Sequence, residues 1–100
     1  MTESDWIQML KALADQTRLR IVKELLAGTF CVNDLAERLN VSQYNVSKHL
    51  RVLRETGIVE MEKQGTRHEC RLALPFRERM DSNGDVLDLG CCTFRFAELR

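Results

Sequence analysis

Two sets of side chains in this sequence are of types that do chemistry. The first is a run from Ser42 to Arg51 that holds Ser42, Gln43, Tyr44, Asn45, Ser47, Lys48, His49 and Arg51, with no acid before Glu55. Amides pair in bidentate fashion with adenine edges, hydroxyls reach bases or phosphates, and cations neutralise phosphates. A merely solvated helix face mixes both signs of charge, whereas this run carries amides, hydroxyls and cations. The second set is the cysteines Cys31, Cys70, Cys91 and Cys92. Thiolate sites for soft metals or trivalent arsenic need about two to four sulfurs within bonding reach. Cys31 alone does not make one. Cys91 and Cys92 would supply the rest, from the same chain or from a second copy. If they lie on a strand, neighbouring side chains point to opposite faces, so one of the pair serves a given site. The alternatives are buried, small hydrophobic thiols and a thiol redox switch.

Hydrophobic periodicity supplies the elements that must position these groups. Trp6, Met9, Leu10 and Leu13 predict a helix over 5–14. Asp15 reads as the N-cap of a helix over 16–27, striped by Leu19, Val22 and Leu26, widened by Ile21 and Leu25, and followed by Gly28. Arg18, Arg20 and Lys23 fall toward its solvated side. Val32, Leu35, Ala36 and Leu39 predict a third helix over 32–39. After a short turn at Asn40 and Val41, Ser42 caps a fourth over 43–55 with a buried stripe of Val46, Leu50 and Leu53. Gly57 ends it. The period then changes to two, giving strands over 58–62 and 67–73 around a glycine-containing loop, with Lys63 and Arg67 at the tip. Residues 75–85 read as a loop, and 86–96 as a strand or a short helix. Trp6 and Phe30 fill the core or a dimer seam; Cys70 reads as a small core residue. His49, beside the buried stripe, packs or meets a phosphate.

Two short helices joined by a tight turn and followed by a hairpin make a winged helix-turn-helix, mainly α with a small β wing (α+β). The third helix braces the fourth, whose other face fits a major groove. Fifteen bases balance fifteen acids, which excludes a polybasic tail or an acidic activator segment. The balance is uneven along the chain: residues 42–71 hold six bases and four acids, a net of +2, while each flank carries −1. One hundred residues read as one domain, with 1–74 as its core and 75–100 as a C-terminal dimer or sensor element. So small a chain buries only about two thirds of its unfolded surface, which favours a dimer. The acidic start, and the lack of the ~18-residue apolar run a membrane span needs, lead to an expected cytoplasmic protein with reduced thiols and no membrane partner. No phosphate-binding glycine loop, nucleophile elbow or metalloprotease helix occurs, so no enzyme is expected.

The stretches 14–22 (Ala-Asp-Gln-Thr-Arg-Leu-Arg-Ile-Val), Asp34-Leu35-Ala36, Val41-Ser42-Gln43, Ser47-Lys48-His49-Leu50, 53–59 and Gly65-Thr66-Arg67 resemble the ArsR/SmtB family of winged-helix repressors. The resemblance covers about residues 8–74. It implies a homodimer on a palindromic operator in double-stranded DNA, released in many members by a bound metal or metalloid. It also implies a recognition helix at 43–54, and that family members carry a histidine at the position of His49. Cys31 matches one position of the family's arsenic-binding stretch; Asn33 and Ala36 stand at the other two. The family's C-terminal Asp/His zinc pattern and long dimer helix have no match. The inducer the resemblance implies is trivalent arsenic or a thiophilic metal ion, with Cys31 in the family's ligand position and Cys91 or Cys92 as the added sulfur. A redox-responsive or constitutive regulator, and a winged-helix module that binds protein, are the alternatives.

Overall fold

A computed structural model describes residues 3–81, 86–89 and 92–96. Its helices are α1 (Glu3–Leu13), α2 (Gln16–Leu25), α3 (Val32–Leu39), α4 (Gln43–Glu55) and α5 (Leu74–Arg77). Its strands are β1 (Phe30–Cys31), β2 (Val59–Gln64), β3 (Arg67–Leu72), β4 (Val86–Asp88) and β5 (Thr93–Arg95). One antiparallel sheet runs β1-β3-β2, and β4 and β5 form a separate hairpin. The winged helix-turn-helix read from the sequence is present.

The helix ends follow from local chemistry. Asp15 caps α2 by accepting the Arg18 N–H at 3.0 Å. The turn between α3 and α4 begins at Asn40, which is left-handed at φ 55°. Val41 N–H then reaches Ala36 O at 3.1 Å, and Asn40 N–H reaches Glu37 O at 3.2 Å. That pair of bonds is the usual way a left-handed residue satisfies the last carbonyls of a helix. The same pattern ends α4, where Gly57 takes φ 79° and Ile58 N–H bonds Leu53 O at 3.0 Å. Ile58 is thereby turned into the core, and β2 starts one residue later, at Val59.

The core runs through every layer. Met9 and Leu13 of α1, Ile21, Val22 and Leu25 of α2, Leu35 and Leu39 of α3, and Val46, Leu50 and Leu53 of α4 are buried together. Cys70 and Leu72 of β3, Phe76 of α5, and Leu87, Leu89 and Phe96 from the end of the chain join them.

Several expectations are corrected. α2 stops at Leu25, two residues short of the expected end, and Leu10 faces outward with Ile7 instead of joining the buried face of α1. Arg18 and Arg20 are half-buried, not solvated, because each reaches carbonyls at a neighbouring helix end: Arg20 Nη2 donates to Leu39 O at 3.0 Å. Phe30 and Cys31 are extended because β3 offers them an edge, Phe30 opposite Cys70. Phe30 also carries the Arg38 guanidinium 4.6 Å above its ring. The expected loop after residue 74 opens instead with the single turn of α5, which buries Phe76. In place of the strand or short helix expected over 86–96 there are two short paired strands, with Val86 opposite Arg95 and Asp88 opposite Thr93.

Candidate nucleic-acid interface

Helix α4 divides cleanly into two sides. Val46, Leu50 and Leu53, spaced four and three apart, are at most 1% exposed. Opposite them Gln43, Tyr44, Asn45, Ser47, Lys48 and Arg51 are exposed, Tyr44 to 77%. The helix begins sharply because Ser42 Oγ accepts the Asn45 N–H at 3.1 Å. That bond uses an oxygen lone pair and leaves the Ser42 hydroxyl proton free to donate. The N-terminal turn carries no acid, so its unpaired N–H groups and positive dipole end face outward unopposed. Arg51 Nε reaches Glu55 Oε1 at 3.3 Å across an exposed i,i+4 pair.

The wing stands beside this helix. β2 and β3 pair from Val59↔Leu72 to Gln64↔Arg67, and Gly65, at φ 63°, makes the tight reversal possible. Lys63 lies opposite His68 near the tip, and both are exposed. Arg67 does not extend from the tip. Its Nη2 lies 3.3 Å from the Cys31 sulfur and 3.7 Å from Asp34 Oδ2, tying the wing to the start of α3. Arg71 is held on β2 by Glu60 and Glu62, each at 2.8 Å. Two of the acids in the positive stretch are thereby matched by one arginine, and the cations left on the outer surfaces of α4 and the wing are Lys48, Arg51, Arg54, Lys63 and Arg67.

Grooves run between α4 and the wing. One of about 370 Å³ is lined by Gln43 and Ser47 on one side and by Thr66, Arg67 and His68 on the other, with Cys31 at its floor. The next, of about 290 Å³, is lined by Ser47, Arg51, Arg54, Met61 and His68. The fold thus brings Gln43, Ser47, Arg51 and Arg67 to one concave surface and adds Arg54, Thr66 and His68, which the sequence reading left out. Arg54 was detectable: it follows Ser47 and Arg51 by seven and three residues, the spacing of one helix face. His68 was signalled by strand alternation opposite Lys63.

His49 departs from the set. Its side chain is 15% exposed and turns away from the open face toward Asp15 and Arg18. It packs, the first of its two expected roles. The Asp15 carboxyl is held below the usual carboxylate range, chiefly by the Arg18 backbone N–H, with the Arg18 charge adding to it.

The described cysteines occupy different settings, with Cys31 and Cys70 on paired strands. Cys31 is buried at the N-cap of α3, where its sulfur makes no capping bond and instead accepts from Arg67. Cys70 is fully buried, and burial pushes its thiol up to about 11, the behaviour of an inert core residue. Cys92 is exposed, and Cys91 lies outside the described residues. Among the described residues no three His, Cys, Asp or Glu side chains come together in a way that would hold a metal ion.

Comparison with known proteins gives a consistent picture. The model of a family described as bacterial regulatory protein, arsR family, matches residues 15–61. The arsenical resistance operon repressor of Staphylococcus xylosus is 32% identical over 91% of this chain and 90% of its own length. The repressor of the same name from Escherichia coli K12 is 47% identical over 67% of this chain, which spans 58% of that protein. The homodimeric winged helix-turn-helix DNA-binding domain of Mb0332 from Mycobacterium bovis superposes with a TM-score of 0.68 at 31% identity, over 70% of this chain and 65% of that one.

Proposed function

We propose that this chain, which belongs to the arsR family of bacterial regulatory proteins, represses transcription as a homodimer seated on a two-fold symmetric operator. The chain is a winged helix-turn-helix transcriptional regulator, and its partner is DNA. The observation that carries the reading is the division of α4 into a buried Val46–Leu50–Leu53 side and an exposed side of amides, hydroxyls and cations.

In this reading Gln43 and Asn45 read base edges in the major groove. Ser42, Tyr44 and Ser47 meet bases or phosphates, and Lys48 and Arg51 neutralise the backbone. Lys63 follows the backbone from the wing, while Arg67, engaged by Cys31 and Asp34, holds the wing against α3. Ile7 and Leu10, exposed on α1 at 44% and 37%, supply the apolar seam of the dimer, which the homodimeric Mycobacterium bovis relative supports. Two α4 helices would then enter successive major grooves about 34–36 Å apart. The arsenical repressors among the relatives suggest a thiophilic inducer, for which Cys31 with Cys91 or Cys92 would supply sulfurs; among the described residues of one chain no cluster of three metal-binding side chains occurs.

Selection of duplexes from a random pool tests the proposal. The expected result is an inverted repeat whose half-sites lie about 10–10.5 base pairs apart, bound by two copies. Retention of no duplex at low salt would overturn DNA binding and favour a module that binds protein.

A further inference from the structure

Arg18 and His49 join the helix assigned to the dimer seam to the helix assigned to DNA. The Arg18 guanidinium donates through Nε to Ala12 O and through Nη2 to Lys11 O, the latter at 3.5 Å. It thereby serves the Ala12 carbonyl at the C-terminal end of α1 and shares the Lys11 carbonyl with the Ala14 N–H, which reaches it at 3.2 Å. Its Nη1 lies 3.3 Å from Nδ1 of His49, on α4. A guanidinium has donors and no acceptor, so Nδ1 must accept and the proton of the neutral ring must sit on Nε2. The Asp15 carboxylate stands 3.8 Å from the same Nδ1. From α2 and its cap, then, the ring faces one cation and one anion. From α1 the cluster receives backbone carbonyls, and the Lys11 ammonium is exposed, as is that of Lys48 beside it on α4.

We propose that neutral His49 is a positioning residue for DNA recognition: by accepting from Arg18 it ties α4 to the end of α1, and its protonation breaks that tie and lowers sequence discrimination. The inference rests on the reading of α4 as the recognition helix. A proton on Nδ1 replaces an acceptor with a donor facing a guanidinium, which loses the hydrogen bond and sets two cations together. The new N–H then finds Asp15 instead. His49 sits one helical turn beyond Asn45, so a shift of its ring moves the part of α4 that would meet base edges. Histidine changes charge between about pH 5 and 8, so the coupling is exposed to ordinary changes in acidity.

The same protonation also adds a positive charge near DNA, which tightens binding to every duplex. The informative quantity is therefore the ratio of affinities for a duplex selected from a random pool and for a random duplex, at fixed salt. For the full chain this ratio should fall about fivefold to tenfold between pH 8.0 and 5.5, the scale of one ordinary hydrogen bond in a folded protein. His49→Asn keeps an oxygen that accepts from Arg18 and cannot titrate, so its ratio should stay high and flat with pH. Ring nitrogen-15 shifts at pH 8.0, without DNA, should show a bare Nδ1 and a protonated Nε2 at His49. A flat ratio in the parent protein, an undiminished pH dependence in His49→Asn, or the opposite tautomer would each overturn the coupling while leaving DNA binding intact. Failure to select any duplex at pH 8.0 would overturn the DNA reading itself, and this inference with it.

Discussion

Lys48 and Arg51 offer the sharpest test of how α4 meets a duplex, because the structure sets them in different local circumstances. Lys48 is exposed, and among the described residues no acid lies within ion-pair distance of it. Arg51 is engaged with Glu55 at 3.3 Å, with side chains 80% and 65% exposed. Such an exposed i,i+4 pair contributes only about 0.3–0.5 kcal/mol, so a phosphate can draw Arg51 away at little cost. Each phosphate neutralised adds about 0.9 to the slope of log affinity against log salt. Lys48→Ala, present in both copies of a dimer, should therefore flatten that slope by about 1.8. Between 50 and 200 mM salt, a fourfold change, the parent protein should lose about twelvefold more affinity than the variant. The loss should be the same for selected and random duplexes, because a phosphate contact carries no sequence information. Arg51→Ala should flatten the slope similarly and weaken binding further at low salt, since it leaves the Glu55 carboxylate facing DNA uncompensated. Fluorescence anisotropy across a salt series measures both. An unchanged slope in Lys48→Ala would refute the orientation of α4 on the duplex.

Gln43→Ala or Asn45→Ala should cost about 1–3 kcal/mol against the selected sequence and relax preference at one base position, with random-duplex affinity unmoved; a repeated selection with each variant reads this directly. Leu53→Ala removes a fully buried side chain behind the recognition face and should destabilise the fold by about 2–5 kcal/mol in chemical denaturation. Cys70 makes stability fall in alkali. Its thiol is held neutral up to about 11 instead of 9.0, so the fold keeps that contribution below pH 9 and loses it as pH climbs toward 11. The difference in stability between parent and Cys70→Ala should shrink by about 2–3 kcal/mol across that window, and a constant difference would show that the thiol does not titrate in the fold.

What the sequence made legible were features that act within a few residues. Asp15, Ser42, Asn40 and Gly57 announce helix ends through their own side chains or backbone freedom, and the three-four spacing of Val46, Leu50 and Leu53 needs no knowledge of what they pack against. The features that were missed depend on a partner far along the chain. Phe30 and Cys31 are a strand only because β3 presents an edge. Arg67 reads as a free wing cation until Cys31 and Asp34 are seen beside it. Leu87, Leu89 and Phe96 are too few and too widely spaced to show a period, yet all three are fully buried or nearly so.

The misreading of α2 is the most instructive, because it changes which element governs the site. Charged residues on a helix are usually solvated, and Arg18 and Arg20 follow that pattern in sequence. A helix C-terminus, however, leaves carbonyls that need donors, and a long guanidinium reaches them across a helix boundary while its stem packs against apolar surface. Arg20 does this for α3 at Leu39, and Arg18 for α1 at Lys11 and Ala12 while touching His49 of α4. One helix outside the proposed DNA face thus fixes the end of the bracing helix, the end of the proposed seam helix and the side of the proposed recognition helix. Changes in α2 should accordingly alter sequence discrimination before they alter the electrostatic attraction to the duplex, which we propose resides in Lys48, Arg51, Arg54 and the wing.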